Sequence, residues 1–554
     1  MTADGTGAPR LVLGPLLRYV GETAVTIWVE TDRACRVGIL GHQARTFEVA
    51  GHHYGLVVVD GLRAGTEAEY QVALDGVVRW PEPGSPFPPS VLRTLAPGRP
   101  LRVVFGSCRI AELPVRSRGR ARARHEQEHG TDALRACALD LRDTPRQRWP
   151  DVLLMIGDQV YGDEPGPATR EFIEQRRDPA RPPGFQAAGF EEYCVLYHEA
   201  WSEPAVRWLL SVIPTAMIFD DHDVIDDWNT SAAWRREYQA KPWWRERITG
   251  AFVSYWIYQH LGNLSPEDLG RSELWRQARE PGDAAGVLRD FALRADQGAG
   301  DSHWSFARTF GKVRVVVIDS RAGRVLTGGR RLMLAEPEWQ RITEALSGDW
   351  DHVVLATSLP LLLPRGVHDL EAWNEAVCRG AWGRRLARAG ERLRQAADLE
   401  HWAAFGESFR QFERLLTGLA TGARGQPPAS VTVISGDIHH SYLAPVEFPA
   451  GTDPRSAVYQ AVCSPFHNLL PDRLRRSQQL AISLAGQLGG TALARLAGVR
   501  KPQLRWRIGQ GPWFQNMLCT LEFRGRSARI RFERTAPDQA QVPRLRPVCD
   551  TELS

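Results

Sequence analysis

The stretch Asp151–Glu164 reads DVLLMIGDQVYGDE: an unbroken apolar run from Val152 to Ile156 stops at Gly157 and gives way to three acids and a tyrosine. A short apolar run bounded by turn residues reads as a strand buried on both faces, as in parallel sheets. The same pattern recurs as LRVVF before GSCR, TAMIF before DDHDVIDDWN, VRVVVI before DSR, HVVLA before TSLP and VTVI before SGDIHH. Strands that each end in a polar cluster and lead into helical or irregular sequence describe an α/β sheet. Ligands of such sheets sit beyond the carboxyl ends of the strands, so these clusters predict one shared site.

The first ninety-odd residues follow a different rhythm. Short β-rich runs such as AVTIWVE, CRVGIL and GLVVVD are separated by Gly or Asp turns about ten residues apart, the pattern of a β-sandwich. Asp75-Gly76 supplies the positive φ angles of a tight hairpin. The segment Leu62–Tyr70, LRAGTEAEY, resembles the tyrosine corner of immunoglobulin-like and fibronectin-like domains, which would make Trp28 core. A chain of 554 residues exceeds what one core usually organises. The reading is therefore two domains, 1–97 and 98–554, meeting at APGRP, with the sandwich as a spacer or lid.

The overall balance narrows the function. With 69 basic and 65 acidic residues the net charge is +4, which gives no electrostatic case for nucleic acid. Eight cysteines lie scattered without CxxC pairs in a chain too long to need stapling, and read as reduced thiols. The start, MTADGTGAPR, lacks a basic patch followed by an apolar core, so a cytoplasmic location is expected. The least polar long window, Leu480–Val499, is diluted by Gly, Ser, Thr and Gln and reads as a helix packed on the domain, with no membrane span.

Chemistry concentrates at the strand ends. Cys108, Asp158, Tyr161, Asp221, Asp437 and His439 are all possible metal ligands, and shared carboxylates can hold two ions a few ångströms apart. The spacing in GDQVY lets one turn aim both Asp158 and Tyr161 at one centre. The run Ile218–Asn229, IFDDHDVIDDWN, packs five aspartates and a histidine into twelve residues. It is no EF-hand loop, because Ile225 falls where an acid is needed and the turn glycine is missing. Neither a GxSxG elbow nor a Walker A loop is present to suggest serine hydrolase or NTPase chemistry.

In their order on successive strands, FGSCR, GDQVYGDE, FDDHDVIDDWN and SGDIHH resemble the alkaline phosphatase D-like (PhoD-like) branch of the metallophosphoesterases, over roughly residues 10 to 535. The resemblance implies a four-layer α/β/β/α sandwich behind the immunoglobulin-like or fibronectin-like β-sandwich. It also implies a metal-dependent phosphoric ester hydrolase, mono- or diesterase, in which a metal-bound hydroxide attacks phosphorus in line. Asp158 would bridge two ions, Tyr161 and His439 would bind one of them, Asp221 would stand for the asparagine of the GNH motif, and His222 would contact the phosphoryl group or protonate the leaving oxygen. Cys108 replaces the usual carboxylate of the first motif, and Asp437 replaces the first histidine of GHxH. One site is then Cys108, Asp158, Tyr161 and His439; the other is Asp158, Asp221 and Asp437. Anionic and soft donors beside an all-oxygen set suggest Fe3+ with Ca2+, alternatively Mn2+, Mg2+ or Zn2+. An inactive phosphate- or partner-binding protein that kept the fold is the other reading.

Around this set, Arg109 follows Cys108 directly and is placed to clamp a phosphate oxygen, and Arg321 in IDSR could do the same. Asp220 and Asp223 are expected to orient Asp221 and His222, with Asp226, Asp227 and Asn229 shaping the loop. His368 and His440 could line the pocket, although a lone histidine near a loop is more often structural. The basic run RSRGRARARHE from Arg116 could attract anionic substrate or be a solvated turn. Segments 165–210 and 229–300, and EHWAAFGESFRQFERLL from Glu400, read as helices covering the sheet. CTLEFRG and SARIRFERT read as a hairpin finishing the second sheet.

Overall fold

The computed structural model describes residues 7–113, 120–298, 302–539 and 541–554, with residues 120–123 described in their backbone alone. The start of the basic run from Arg116, and the first six residues of the chain, lie outside the described residues.

Two mixed sheets face each other. One runs in the order Thr215–Ile218, Val152–Ile156, Leu101–Gly106, Met517–Arg524, Ser527–Pro537, Pro543–Glu552. Its first three strands are parallel and the rest antiparallel. The late hairpin thus extends the sheet that carries the first three motifs. The other sheet has a parallel centre of Val313–Ile318, His352–Thr357, Ser430–Ser435 and Ala457–Val462. The strand period of two sorts its side chains: Val315, Val317, Val354, Ala356 and Ile434 join the core between the sheets. Val316, Ile318, Val353, Leu355, Val431 and Val433 turn the other way, onto Phe409, Phe412, Leu416 and Leu419 of the helix Gly406–Thr421. Helices on the first sheet complete the α/β/β/α order, with Leu134, Ala138 and Leu141 of Ala133–Arg142 buried in the same hydrophobic cluster.

Ahead of this body, sheets Leu11–Val20, Val25–Thr31, His52–Val59, Phe47–Val49 and His42–Arg45, Arg36–Ile39, Val72–Leu74, Val77–Trp80 form the β-sandwich. Trp28 is fully buried in it, and Asp75 and Gly76 have φ of 48° and 84° at the expected hairpin. The tyrosine corner is different from expectation. The Tyr70 hydroxyl donates across to the Ser211 carbonyl at 2.6 Å instead of back to its own loop, so a helix of the α/β part supplies the acceptor. Buried Arg18 likewise donates to the carbonyls of Tyr258 and Gln259, 2.6 Å each. Glu30 takes hydrogen bonds from Tyr258 and His198 at 2.8 Å.

Segments 165–210 and 229–300 are largely helical, as expected. Two further helices, α1 (Arg365–Cys378) and α2 (Arg384–Ala396), follow the strand His352–Thr357, and a hairpin of α3 (Asp472–Ile482) and α4 (Leu484–Leu496) follows Ala457–Val462. The window Leu480–Val499 is thus broken at Ser483, whose hydroxyl caps α4. Helix α4 lies on α1 at near backbone contact: a Cβ on Gly490 would come within 2.5 Å of the Gly366 carbonyl oxygen. None of the described helices is long and apolar enough to cross a membrane.

Candidate metal centre

The strand ends converge as expected, and the loops that leave them are strained. Cys108, Asp437 and His439 have φ of 56°, 66° and 52°, left-handed conformations that side chains rarely adopt and that cluster at functional sites. The first and last loops are pressed together: a Cβ on Gly436 would lie 1.9 Å from Ser107 Oγ, so only glycine lets the Asp437 amide reach that hydroxyl at 3.0 Å.

Asp158 sits at the floor. Its Oδ2 accepts from the Tyr161 phenol at 3.4 Å, and Tyr161 in turn accepts from Asn468 at 3.1 Å. Ligand atoms of Asp158, Asp221 and His222 lie within 4.8 Å of one another, as do those of Asp220, Asp221 and Asp437. The Cys108 thiol is fully buried, 3.6 Å from the Asp437 carbonyl oxygen, and burial pushes its pKa well up, helped by Asp158 and Asp437. Burial pushes His439 down to about 4, into the neutral form a metal requires; its charged neighbours are Asp437 and His222.

His222 carries its own anchor. Nδ1 lies 3.0 Å from both oxygens of Asp163. Burial opposes charging of the ring, but the carboxylates of Asp163, Asp221 and Asp158, Asp163 first among them, together outweigh it and hold the His222 pKa well above the ordinary value. Asp163 was present in the GDQVYGDE motif but drew no role there; its position five residues after Asp158 was the available signal.

Sequence reasoning also missed Glu400 and His401. The predicted helix from Glu400 begins only at Gly406, leaving both residues free to face the site. His401 donates from Nε2 to Asp437 at 2.9 Å and contacts Glu371 through Nδ1 at 2.6 Å. Glu400 pairs with Arg321 and, at 2.9 Å, with Arg324. Arg321 is completely buried among Asp220, Asp221, Asp437 and Glu400, with Nη2 at 3.1 Å from Asp221 and 3.6 Å from Asp437.

Arg109 is elsewhere. Its donors are taken by Asp132, at 2.7 and 2.9 Å, and by the Ala200 carbonyl, which ties it to the start of helix Ala133–Arg142 and away from the cleft. Neither arginine expected to clamp phosphate is therefore free to do so: Arg109 holds a helix start and Arg321 neutralises carboxylates. His368 is buried against Phe409 and Trp506, and His440 bonds the Ile438 carbonyl, so both are structural. Of the supporting acids, Asp223 accepts from the amides of Asp220 and Gln159, and the Asp227 amide donates to Asp221 at 3.0 Å.

The donor set suits metal ions. Asp158 Oδ1 and Asp220 Oδ2 are buried acceptors without a hydrogen bond, a condition that calls for a cation, while Asp221 Oδ1, also without a hydrogen bond, faces Arg321 Nη2 at 3.1 Å. Burial raises the pKa of Asp158 and Asp221 for the same reason. A further acid and histidine group, Glu112, Asp132 and His467, is already engaged: Asp132 by Arg109, and both His467 nitrogens by the carbonyls of Ile110 and Gly130.

Comparisons with known proteins bear on the family and the fold. Residues 140–289 match the sequence model of the PhoD-like phosphatases, and residues 8–92 match a domain of unknown function, DUF7800. No curated protein matches the sequence. Among solved structures, that of PhoD aligns over 99% of this chain and 94% of its own, at 14% identity and a TM-score of 0.57, a likeness of fold. A maltogenic amylase from S. marinus aligns with a TM-score of 0.16, too low to inform the fold.

Proposed function

We propose, from the premise that this chain is a PhoD-like phosphatase across residues 140–289 with the fold of PhoD throughout, that it is a metal-dependent hydrolase of phosphoric mono- or diesters. One observation carries the reading: Asp158 and Asp221 are buried carboxylates, each with an oxygen that accepts no hydrogen bond, and a ligand atom of each lies within 4.8 Å of the other and of His222. Cys108, Asp158, Tyr161 and His439 would hold one ion, and Asp158, Asp221 and Asp437 another. Fe3+ with Ca2+ is the proposed pair, with Mn2+, Mg2+ or Zn2+ as alternatives. Bound ions supply Lewis-acid neutralisation of the phosphoryl oxygens and activation of water at neutral pH.

The chain's own residues do the rest. His222 keeps Nδ1–H on Asp163, so Nε2 is the atom that gives its proton to the leaving oxygen. His401 fixes one oxygen of Asp437, and Arg321 offsets the charge of Asp220 and Glu400 so that the cluster can assemble before any ion arrives. We further propose residues 1–97 and 98–554 as the two domains, the sandwich bracing the helices that back the His222 loop.

Turnover of aryl phosphate mono- and diesters, with and without chelator, tests the reading. Activity that chelator removes and metal restores is expected. Protein that binds metal yet turns over neither ester would overturn the enzyme reading in favour of a binding protein. For the iron assignment, a visible phenolate-to-iron absorption band should be present and lost in Tyr161→Phe.

A further inference from the structure

The hairpin α3–α4 is turned inside out relative to an ordinary surface helix pair. A helix on a protein surface buries its apolar stripe and shows its polar one. Here the buried positions of α4 are Gly490 and Ala494, while Leu484, Leu488 and Leu496 are 70%, 64% and 73% exposed. Leu474 and Leu480 of α3 are also exposed. Nothing among the described residues covers them.

The charge along this segment is predominantly positive. From Asp472 to Lys501 there are six basic residues, Arg473, Arg475, Arg476, Arg495, Arg500 and Lys501, against the single acid Asp472, which Arg475 pairs at 2.9 Å. Helix α2 packs on the same α1 as α4 does, and its exposed Leu386 and Leu393 stand among Arg384, Arg385 and Arg392. Trp382 joins the two parts, donating from Nε1 to the Leu496 carbonyl at 3.3 Å. Exposed leucines with interleaved arginines and a tryptophan at the seam are the composition of helices that lie in a lipid headgroup layer. A second copy of this chain would bring the same cationic patch against itself, which like-charge repulsion disfavours.

We propose that α3–α4, extended by Trp382 and the outer face of α2, is a docking surface for an anionic lipid bilayer. It is peripheral docking, in keeping with helices too short and too polar to span. The surface adjoins the metal centre. The chain enters α3 soon after Asn468, which touches Tyr161, and Gln478 of α3 donates to the Ile438 carbonyl between Asp437 and His439 at 3.5 Å. A docked bilayer would therefore lie beside the mouth of the site.

Cosedimentation of the full-length protein with vesicles tests this. Binding to vesicles of phosphatidylcholine mixed with phosphatidylglycerol is expected, with little binding to pure phosphatidylcholine and loss of binding as salt rises. The double variant Leu484→Ser/Leu488→Ser should partition about tenfold less or weaker still at an unchanged melting temperature, since these side chains are exposed in the free protein. Arg473→Glu/Arg476→Glu should abolish the preference for the anionic lipid. Wild-type protein that ignores anionic vesicles at low ionic strength overturns the proposal, as does equal binding by the leucine variant. A wild-type dimer in sedimentation velocity that the leucine variant converts to monomer overturns it too, by assigning the surface to a second copy.

Discussion

Replacing Asp163 by asparagine keeps the shape of the contact with His222 and removes its charge. In the native structure Asp163 holds Nδ1 at 3.0 Å through either oxygen and also accepts the Asp226 amide at 2.9 Å. Burial works against the imidazolium, and Asp163 is the first of the carboxylates that reverse it, ahead of Asp221 and Asp158. In Asp163→Asn the burial stays and its main counterweight goes. The His222 pKa falls, and the Nε2 proton is surrendered at a lower pH. A positioned general acid contributes about 10²- to 10⁴-fold, which at 1.36 kcal/mol per tenfold is about 2.7 to 5.4 kcal/mol of barrier. That contribution matters only when the leaving oxygen needs a proton. An alkyl ester should therefore lose about a hundredfold or more in kcat/KM, while a p-nitrophenyl ester, whose phenolate leaves unaided, should lose less than about tenfold. Steady-state rates on both esters across pH measure it, and the basic limb of the alkyl profile should move to lower pH. Equal losses on the two esters, or an unmoved basic limb, would refute His222 as the acid and leave Asp163 a structural residue.

Two further substitutions probe how charge is arranged inside the molecule. Arg321→Met leaves Asp220 and Glu400 buried without their shared cation and should cost about 3–5 kcal/mol in urea unfolding measured with chelator present; a loss below about 1 kcal/mol would show that those acids are protonated and the pairs idle. Glu30 is fully buried; burial raises its pKa, but His198 and His52 outweigh this and bring it down to about 2. A carboxylate depressed from 4.5 to about 2 stabilises the fold above the unfolded value, by about 3 kcal/mol, and loses that contribution as pH falls through the folded one. Glu30→Gln should therefore lower the urea midpoint at pH 7, with the gap to wild type narrowing from about pH 5 downward and closing only below about pH 2. A gap that is constant with pH would mean that the hydrogen bonds, and not the charge, hold the sandwich to the helices behind it.

Particular residues show how far sequence reading reached. The strands were legible because each is a short apolar run with a punctuating polar cluster, and their alternation shows afterwards in Val315 and Val317 facing one core and Val316 and Ile318 the other. Asp158, Tyr161, Asp221, His222, Asp437 and Cys108 were found because each stands two to five residues beyond such a run. Glu400 and His401 were not, since they follow no strand: their segment has helical spacing, and only the packing of that loop brings His401 to Asp437, 36 residues away. Arg109 shows the converse. Adjacency to Cys108 put it near the cleft on paper, but the strand has ended at Gly106, the chain turns at Cys108 with a φ of 56°, and Asp132 holds the guanidinium at the start of another helix.

By itself, the sequence determined what depends on neighbours along the chain: where strands begin and end, the acidic and thiol donors at their ends, and the division between sandwich rhythm and α/β rhythm. The tertiary structure decided what depends on long-range packing. It set which cation offsets which carboxylate, that Tyr70 bonds forward to Ser211, that Asp163 belongs to His222, and that α4 shows its leucines to solvent. Periodicity records which residues share a face of one element; it carries no record of what that face will meet, because the partner is chosen by the fold of the whole chain.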